Sequence, residues 1–187
     1  MEELLLEKKD DILSTIEINL NKVTWLSLVI TVIFSIIGML LYMLLHREFE
    51  ISFSFISILL FFIGYVILIV LHECFHLIGF WMFGKVPWKS MDYGINLKMG
   101  IAYATTSIPL SNSAMKKALL LPFWTTGVIP IIIGYSVHSP IFVLLGAFLI
   151  GGAAGDFAMY KELRKYPKDI LIKDDPVKPI LYVMRKP

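Results

Sequence analysis

The sequence predicts an all-α integral membrane protein with about four transmembrane helices, and with room for a short β-hairpin between the second and the third. Hydrophobic residues make up 57% of the 187 residues and charged residues only 17%, against roughly 45–50% and about 25% in soluble domains. A chain of this length cannot hide its long apolar runs from water inside one core. The composition excludes a soluble globule and a disordered chain, and the single Cys74 excludes a disulfide-rich secreted scaffold.

Four apolar runs are long enough to cross a bilayer, which requires about 20 helical residues. These runs are residues 24–45, 51–83, 118–137 and 140–160. The second run exceeds the thickness of the hydrocarbon core, so we expect it to tilt or to break. Pro122 and Pro130 predict a kink in the third run. The link between the third and fourth runs is short, which predicts that their helices are antiparallel neighbours.

The basic residues predict the orientation of these spans. Every basic residue except Arg47 lies before the first run, between the second and the third, or after the fourth. By the positive-inside rule these segments face the cytoplasm, so both termini are expected there, and the expected location is a bacterial cytoplasmic membrane. The chain then divides into a cytoplasmic amphipathic segment (1–23), a four-span membrane domain (24–160) and a basic cytoplasmic tail (161–187).

The segments outside the apolar runs carry weaker patterns. Apolar side chains in the first segment fall near one face of a helix and predict an amphipathic helix. They are Leu5, Ile12, Ile16, Leu20 and Val23. The alternating apolar residues of 95–103 predict a strand that folds back near Gly100. Two apolar runs in the tail, 170–172 and 180–184, are short enough to be strands, but we interpret them as ordinary solvated tail.

The second apolar run contains a motif with the spacing of a zinc site. The motif reads His72-Glu73-Cys74-Phe75-His76. Residues four apart lie on one face of a helix, so both imidazoles can bind one metal ion. Zn²⁺ suits such ligands, and a catalytic site adds a third protein ligand and a water, beside which Glu73 would act as the general base. The alternative is structural, with the histidines bonded to the backbone and Glu73 paired with a lysine.

The charges also point to the third ligand. Only two acidic residues, Glu73 and Asp156, lie within apolar runs, where an ionisable side chain is costly unless it is paired or functional. His46 and His138 fall on the outer side of the membrane in this topology. Asp156 lies late in an inward span, as the two motif histidines do, and the small residues 151–155 allow helices to approach closely. Asp156 is therefore the predicted third zinc ligand.

Asp156 and Cys74 also have other interpretations. Asp156 can instead end its helix and pair with Lys161 or Arg164. Cys74 lies between the histidines in sequence but points to another face of the helix, so we expect a small buried residue rather than a ligand or a nucleophile.

A His-Glu-x-x-His motif late in one hydrophobic helix, followed about 80 residues later by Gly-Asp in another, resembles the membrane-embedded zincin peptidases of site-2 protease type. It is especially similar to small bacterial proteins classed as putative zincin peptidases. The resemblance runs from about Ile51 to the tail. It implies that His72, His76 and Asp156 bind zinc and that Glu73 is the catalytic acid and base. Site-2 proteases usually have Leu-Asp-Gly at the third ligand, whereas this chain has Gly-Asp-Phe.

The predicted function is that of a zinc-dependent endopeptidase acting on a membrane protein or a membrane-associated peptide, within a lipid bilayer and without a nucleic-acid partner. Residues 94–108 would suit such an enzyme if an extended substrate adds to them as a strand; the alternative is a plain loop. Asn96, Lys98 and Asn112 are candidate oxyanion stabilisers, and nothing in the sequence selects among them.

Two other functional classes stay open. A non-catalytic zinc-binding membrane regulator or accessory protein would close its metal site with a fourth protein ligand. A small metal transporter would need polar residues across the whole bilayer, whereas the outer halves of these runs are almost wholly apolar.

Overall fold

The apolar runs form helices, because in an apolar environment every backbone N–H and C=O group needs an intramolecular partner. The computed structural model of the chain describes residues 11–47, 54–96, 101–175 and 178–185. Its α-helices are α1 (Leu20–His46), α2 (Phe55–Gly84), α3 (Asn112–Pro122), α4 (Ile129–Ser136), α5 (Pro140–Gly152) and α6 (Ala154–Leu163). Its strands are β1 (Ile12–Glu17), β2 (Met91–Asn96), β3 (Ile101–Thr106), β4 (Leu110–Ser111), β5 (Leu171–Asp174) and β6 (Ile180–Met184). A 3-10 turn covers Trp88–Ser90.

Within the described part of the chain, three helical segments are long and apolar enough to cross a membrane. They are α1, α2 and the stretch Asn112–Ser136, which contains α3 and α4. These segments correspond to the first three predicted runs. The fourth predicted run forms α5 and α6, which are bent by 40° and make a further span only if the pair is counted as one. By length and composition, the prediction of apolar helical spans is therefore confirmed for three runs.

The third span contains one stretch of π-helix, Phe123–Val128, between α3 and α4. Pro122 precedes this stretch and Pro130 follows it. A proline has no N–H to offer to the carbonyl four residues earlier, so regular α-helical bonding fails at both positions. The prolines that predict a kink thus flank a locally widened turn, a form often found at functional sites.

The protein is mostly helical, as the sequence predicts, but it is not all-α, because strands form both before α1 and after α2. Four of them make an antiparallel sheet in the order β1-β6-β5-β4. The other two, β2 and β3, form an antiparallel pair in which Met91 lies opposite Thr106. Residues 97–100, where the sequence predicts the chain to fold back, lie outside the described residues.

Residues Ile12–Glu17 of the N-terminal segment form a strand where the sequence predicts an amphipathic helix. Strand β1 pairs antiparallel with β6, and Ile16 lies opposite Leu181. The spacing of Ile12 and Ile16 explains the error, since residues four apart share a face in a strand as well as in a helix. Leu5 lies outside the described residues, and Leu20 and Val23 belong to α1.

The tail is a packed part of the fold, which corrects its interpretation as solvated. Strands β5 and β6 pair with each other, and their side chains Ile172, Leu181 and Val183 are buried. These side chains belong to one apolar cluster with Met115 and Leu163. Runs of three to five apolar residues are too short for periodicity to distinguish a core strand from a solvated segment.

The contacts divide the chain into two compact units. One contains both sheets and holds the described residues of 1–19, 76–120 and 156–187; the other contains residues 20–75 and 121–155. In the second unit α1 packs against α5, and a Cβ at Gly38 would lie 3.0 Å from Val143. The Tyr135 hydroxyl donates to the carbonyl of Gly38 over 3.1 Å, so the small residue permits both contacts.

Candidate metal centre

Helix α2 places the two motif histidines one turn apart on the same face. His72 and His76 are buried, and Glu73 is partly buried beside them. Cys74 is exposed on another face of the helix, which corrects the expectation of a small buried residue. Because α2 is surrounded by few protein side chains, a residue that points away from the histidines reaches the protein surface.

The three predicted ligands come together. His72, His76 and Asp156 each offer one ligand atom, and these atoms all lie within 4.8 Å of one another. His76 Nε2 lies 3.4 Å from Asp156 Oδ1, and both side chains are largely shielded from solvent. Among the residues that the structure describes, this is the group of His, Cys, Asp and Glu side chains that could hold a metal ion.

The Nδ1 atoms of both histidines also have partners. His72 Nδ1 lies 3.1 Å from the hydroxyl oxygen of Thr126, which belongs to the π-helical turn and is buried. His76 Nδ1 donates to the carbonyl of Ala118 in α3 over 3.2 Å. Partners of this kind orient metal-binding imidazoles and are part of a metal site as much as the ligands are.

A glycine allows α3 to reach His76. A Cβ at Gly79, one turn after His76 on α2, would lie 2.7 Å from the Cα atom of Ala118. That distance is far inside van der Waals contact, so any side chain at position 79 must push the α3 backbone away. Gly79 therefore maintains the distance over which His76 bonds to the Ala118 carbonyl.

The sequence comparisons agree with this geometry. Residues 65–171, more than half of the chain, match the model of a family described as putative zincin peptidase. The chain belongs to this zincin peptidase family. The matched segment contains the His-Glu-x-x-His motif and Asp156, and the family's description supports a zinc-dependent peptidase. No curated protein and no solved structure matches the chain.

The ligand set fits the zinc that the family's description implies. Two imidazoles and one carboxylate are a known catalytic zinc combination that leaves a position open for water. Zinc–ligand bonds of roughly 2.0–2.1 Å in a tetrahedral arrangement separate the ligand atoms by about 3.4 Å. The His76–Asp156 distance of 3.4 Å already meets that requirement.

Asp174 is an acidic residue near the site that sequence analysis missed. It ends β5 and is partly buried. Burial raises its pKa from the ordinary 3.8 to about 7, although Thr105 and the charge of His76 act in the opposite direction. No pattern marks Asp174 in the sequence, because it follows a short run that looks like solvated tail.

Asn112, a candidate oxyanion stabiliser, has a different role. Its buried side-chain nitrogen donates to the carbonyls of Leu163, Tyr166 and Pro167 over 2.8–3.0 Å. These are carbonyls at and just beyond the end of α6, so Asn112 caps that helix and holds it to the start of α3. Of the other two candidates, Asn96 lies in β2 and Lys98 lies outside the described residues.

The close approach at Gly79 gives a first test. We expect Gly79→Ala to move α3 away from His76 and to lower zinc affinity by roughly 10–100-fold, the usual effect of losing a partner that orients a ligand. Gly152→Ala is the matched control, because nothing lies within 4 Å of a Cβ at that position. Competition with a fluorescent zinc chelator measures both variants. Equal affinity in the two would contradict this role of Gly79.

The raised pKa of Asp174 gives a second test. The folded protein binds a proton here up to about pH 7, whereas the unfolded chain releases it near pH 4. Protonation of Asp174 therefore makes its full contribution to the free energy of unfolding below pH 4, and this contribution is lost as the pH rises through 7. In zinc-free protein we expect Asp174→Asn to raise the unfolding temperature relative to wild type more at pH 8 than at pH 5. The exposed Asp169→Asn is the control, and an equal effect at both pH values would contradict the assignment.

Proposed function

We propose that the protein is a membrane-spanning, zinc-dependent endopeptidase of site-2 protease type. The observation that carries this proposal is the convergence of His72, His76 and Asp156, with ligand atoms within 4.8 Å of one another, on helices of a chain that belongs to a zincin family. Glu73 follows the first ligand directly, as the general base does in the His-Glu-x-x-His peptidases.

The surroundings of the site support action at a membrane. The apolar side chains of α1 and of the first half of α2 are widely exposed, and a soluble protein rarely exposes apolar area on this scale. Both motif histidines lie late in α2, close to the segment that carries Lys85 and Lys89. By the positive-inside rule the site then lies towards the cytoplasmic side, with both termini in the cytoplasm of a bacterial cell.

The chemistry follows from the residues that converge. His72, His76 and Asp156 would hold the metal ion. Zn²⁺ bound by such a set lowers the pKa of a water molecule and polarises a peptide carbonyl. Glu73 takes the proton of the water that attacks the carbonyl carbon and delivers it to the nitrogen of the leaving amine as the C–N bond breaks.

The proposed substrate is a membrane-associated peptide or a transmembrane segment of another protein. A helix conceals its peptide bonds, so cleavage needs an extended segment. Strands β2 and β3 form a pair to which such a segment can add as a further strand. Tyr93 and Ile95 lie on one face of β2 and are strongly exposed, which supplies apolar contact for a substrate side chain.

Replacement of the general base tests the activity. In cells producing Glu73→Gln we expect the new protein N-termini found with the wild-type enzyme to fall by roughly 10²-fold or more, while purified protein keeps one zinc per chain. Labelling of N-termini in isolated membranes, followed by mass spectrometry, measures cleavage of whichever membrane protein is the substrate.

Cys74→Ser is the matched control, because Cys74 adjoins Glu73 but faces away from the histidines. It should cleave as the wild type does. Full cleavage by zinc-bound Glu73→Gln would overturn the proposal. Zinc-bound wild-type protein without any Glu73-dependent N-termini would also overturn it, in favour of a non-catalytic zinc-binding regulator.

A further inference from the structure

Pro122 lies four residues from Ala118 and four from Thr126, the residues that bond to the two histidine Nδ1 atoms. It ends α3, directly precedes the π-helical turn and is almost fully buried. In a regular α-helix the N–H of residue 122 would donate to the carbonyl of residue 118. Proline has no N–H, so this bond cannot form and the Ala118 carbonyl is left available.

His76 forms a hydrogen bond to the Ala118 carbonyl. Its Nδ1 lies 3.2 Å from the Ala118 oxygen, deep in the protein. A carbonyl oxygen only accepts hydrogen bonds, so Nδ1 must carry the imidazole proton. The lone pair of the neutral ring is then on Nε2, the atom that lies 3.4 Å from Asp156.

The carbonyl of Pro122 acts on the other histidine through Thr126. The Thr126 hydroxyl donates to the Pro122 oxygen over 2.8 Å. A hydroxyl has a single proton, so towards His72 Nδ1, 3.1 Å away, the same oxygen can only accept. His72 Nδ1 therefore also carries its proton, and the lone pair of the neutral ring is on Nε2.

We propose that Pro122 and Thr126 are positioning residues that hold both imidazoles as Nδ1–H tautomers, so that each presents Nε2 to the metal. Because Pro122 has no N–H, the Ala118 carbonyl can accept a hydrogen bond from His76. The Pro122 carbonyl accepts from the Thr126 hydroxyl, whose oxygen then accepts from His72. This inference rests on the proposed zinc site but not on peptidase activity.

The adjacent threonine offers a matched control for this role. Thr125 lies in the same π-helical turn, and its hydroxyl donates to the carbonyl of Leu121 over 3.0 Å. It carries the same functional group in the same segment, whereas His72 bonds to Thr126. Replacing either threonine by valine removes one hydroxyl at nearly constant volume, so a difference between the variants isolates the bond to His72.

Zinc affinity, measured by chelator competition on the full chain, is the first readout. We expect Thr126→Val to weaken zinc binding by roughly 10–100-fold, and Thr126→Ser, which keeps the hydroxyl, to restore it. Pro122→Ala should also weaken binding, because the new N–H competes with His76 for the Ala118 carbonyl. Thr125→Val should bind as the wild type does. Equal affinity of Thr126→Val and Thr125→Val would overturn the proposal.

The tautomers themselves are the second readout. Nitrogen chemical shifts of histidine-labelled, zinc-free protein in detergent should show Nδ1–H for His72 and His76. Thr126→Val should change the pattern of His72 alone, and Pro122→Ala that of His76. An Nε2–H tautomer at either histidine in the wild type would overturn the proposal. Correct tautomers in a protein without Glu73-dependent cleavage would instead overturn the proposed function and leave this inference standing.

Discussion

Polar groups that are buried among apolar helices need hydrogen-bond or ionic partners, and this requirement shapes the candidate metal centre and the helices around it. An imidazole or carboxylate removed from water is stable only when each of its polar atoms has a partner. His72 and His76 are buried on an apolar helix, and their Nδ1 atoms meet Thr126 and the Ala118 carbonyl. Each of these histidines and Asp156 offers one ligand atom, and these atoms lie within 4.8 Å of one another. A cation held by these three residues would balance the negative charge of Asp156 in these apolar surroundings.

Local backbone features supply these partners. Gly79 lets α3 approach closely enough for the Ala118 carbonyl to reach His76. Pro122 interrupts the helix where that carbonyl is needed, and the following π-helical turn carries Thr126. Small and helix-breaking residues would weaken an isolated helix. Here they occur beside the ligands, where irregular backbone provides acceptors that a regular helix would consume internally.

Much of the site could be predicted from the sequence, whereas much of the sheet could not. The motif and Asp156 stand out because acidic residues are so rare in the apolar runs. Thr126 and Asp174 carry no such signal: a hydroxyl in an apolar run is unremarkable, and Asp174 follows a run of only three apolar residues. Strand β1 was predicted as a helix because a spacing of four fits both periods. Its partner β6 lies at the far end of the chain, and local patterns do not report such pairing.

X-ray absorption spectroscopy of the zinc-loaded protein tests the proposed ligand set of His72, His76 and Asp156, because it reports the atoms bound to the metal. The structure predicts a first shell of nitrogen and oxygen ligands at roughly 2.0–2.2 Å, with the scattering signature of two imidazoles. Asp156→Ala should alter that shell or lose the zinc. A sulfur ligand at about 2.3 Å, which only a cysteine or methionine could supply, would contradict this ligand set. So would three or more imidazoles, or an unchanged shell in Asp156→Ala.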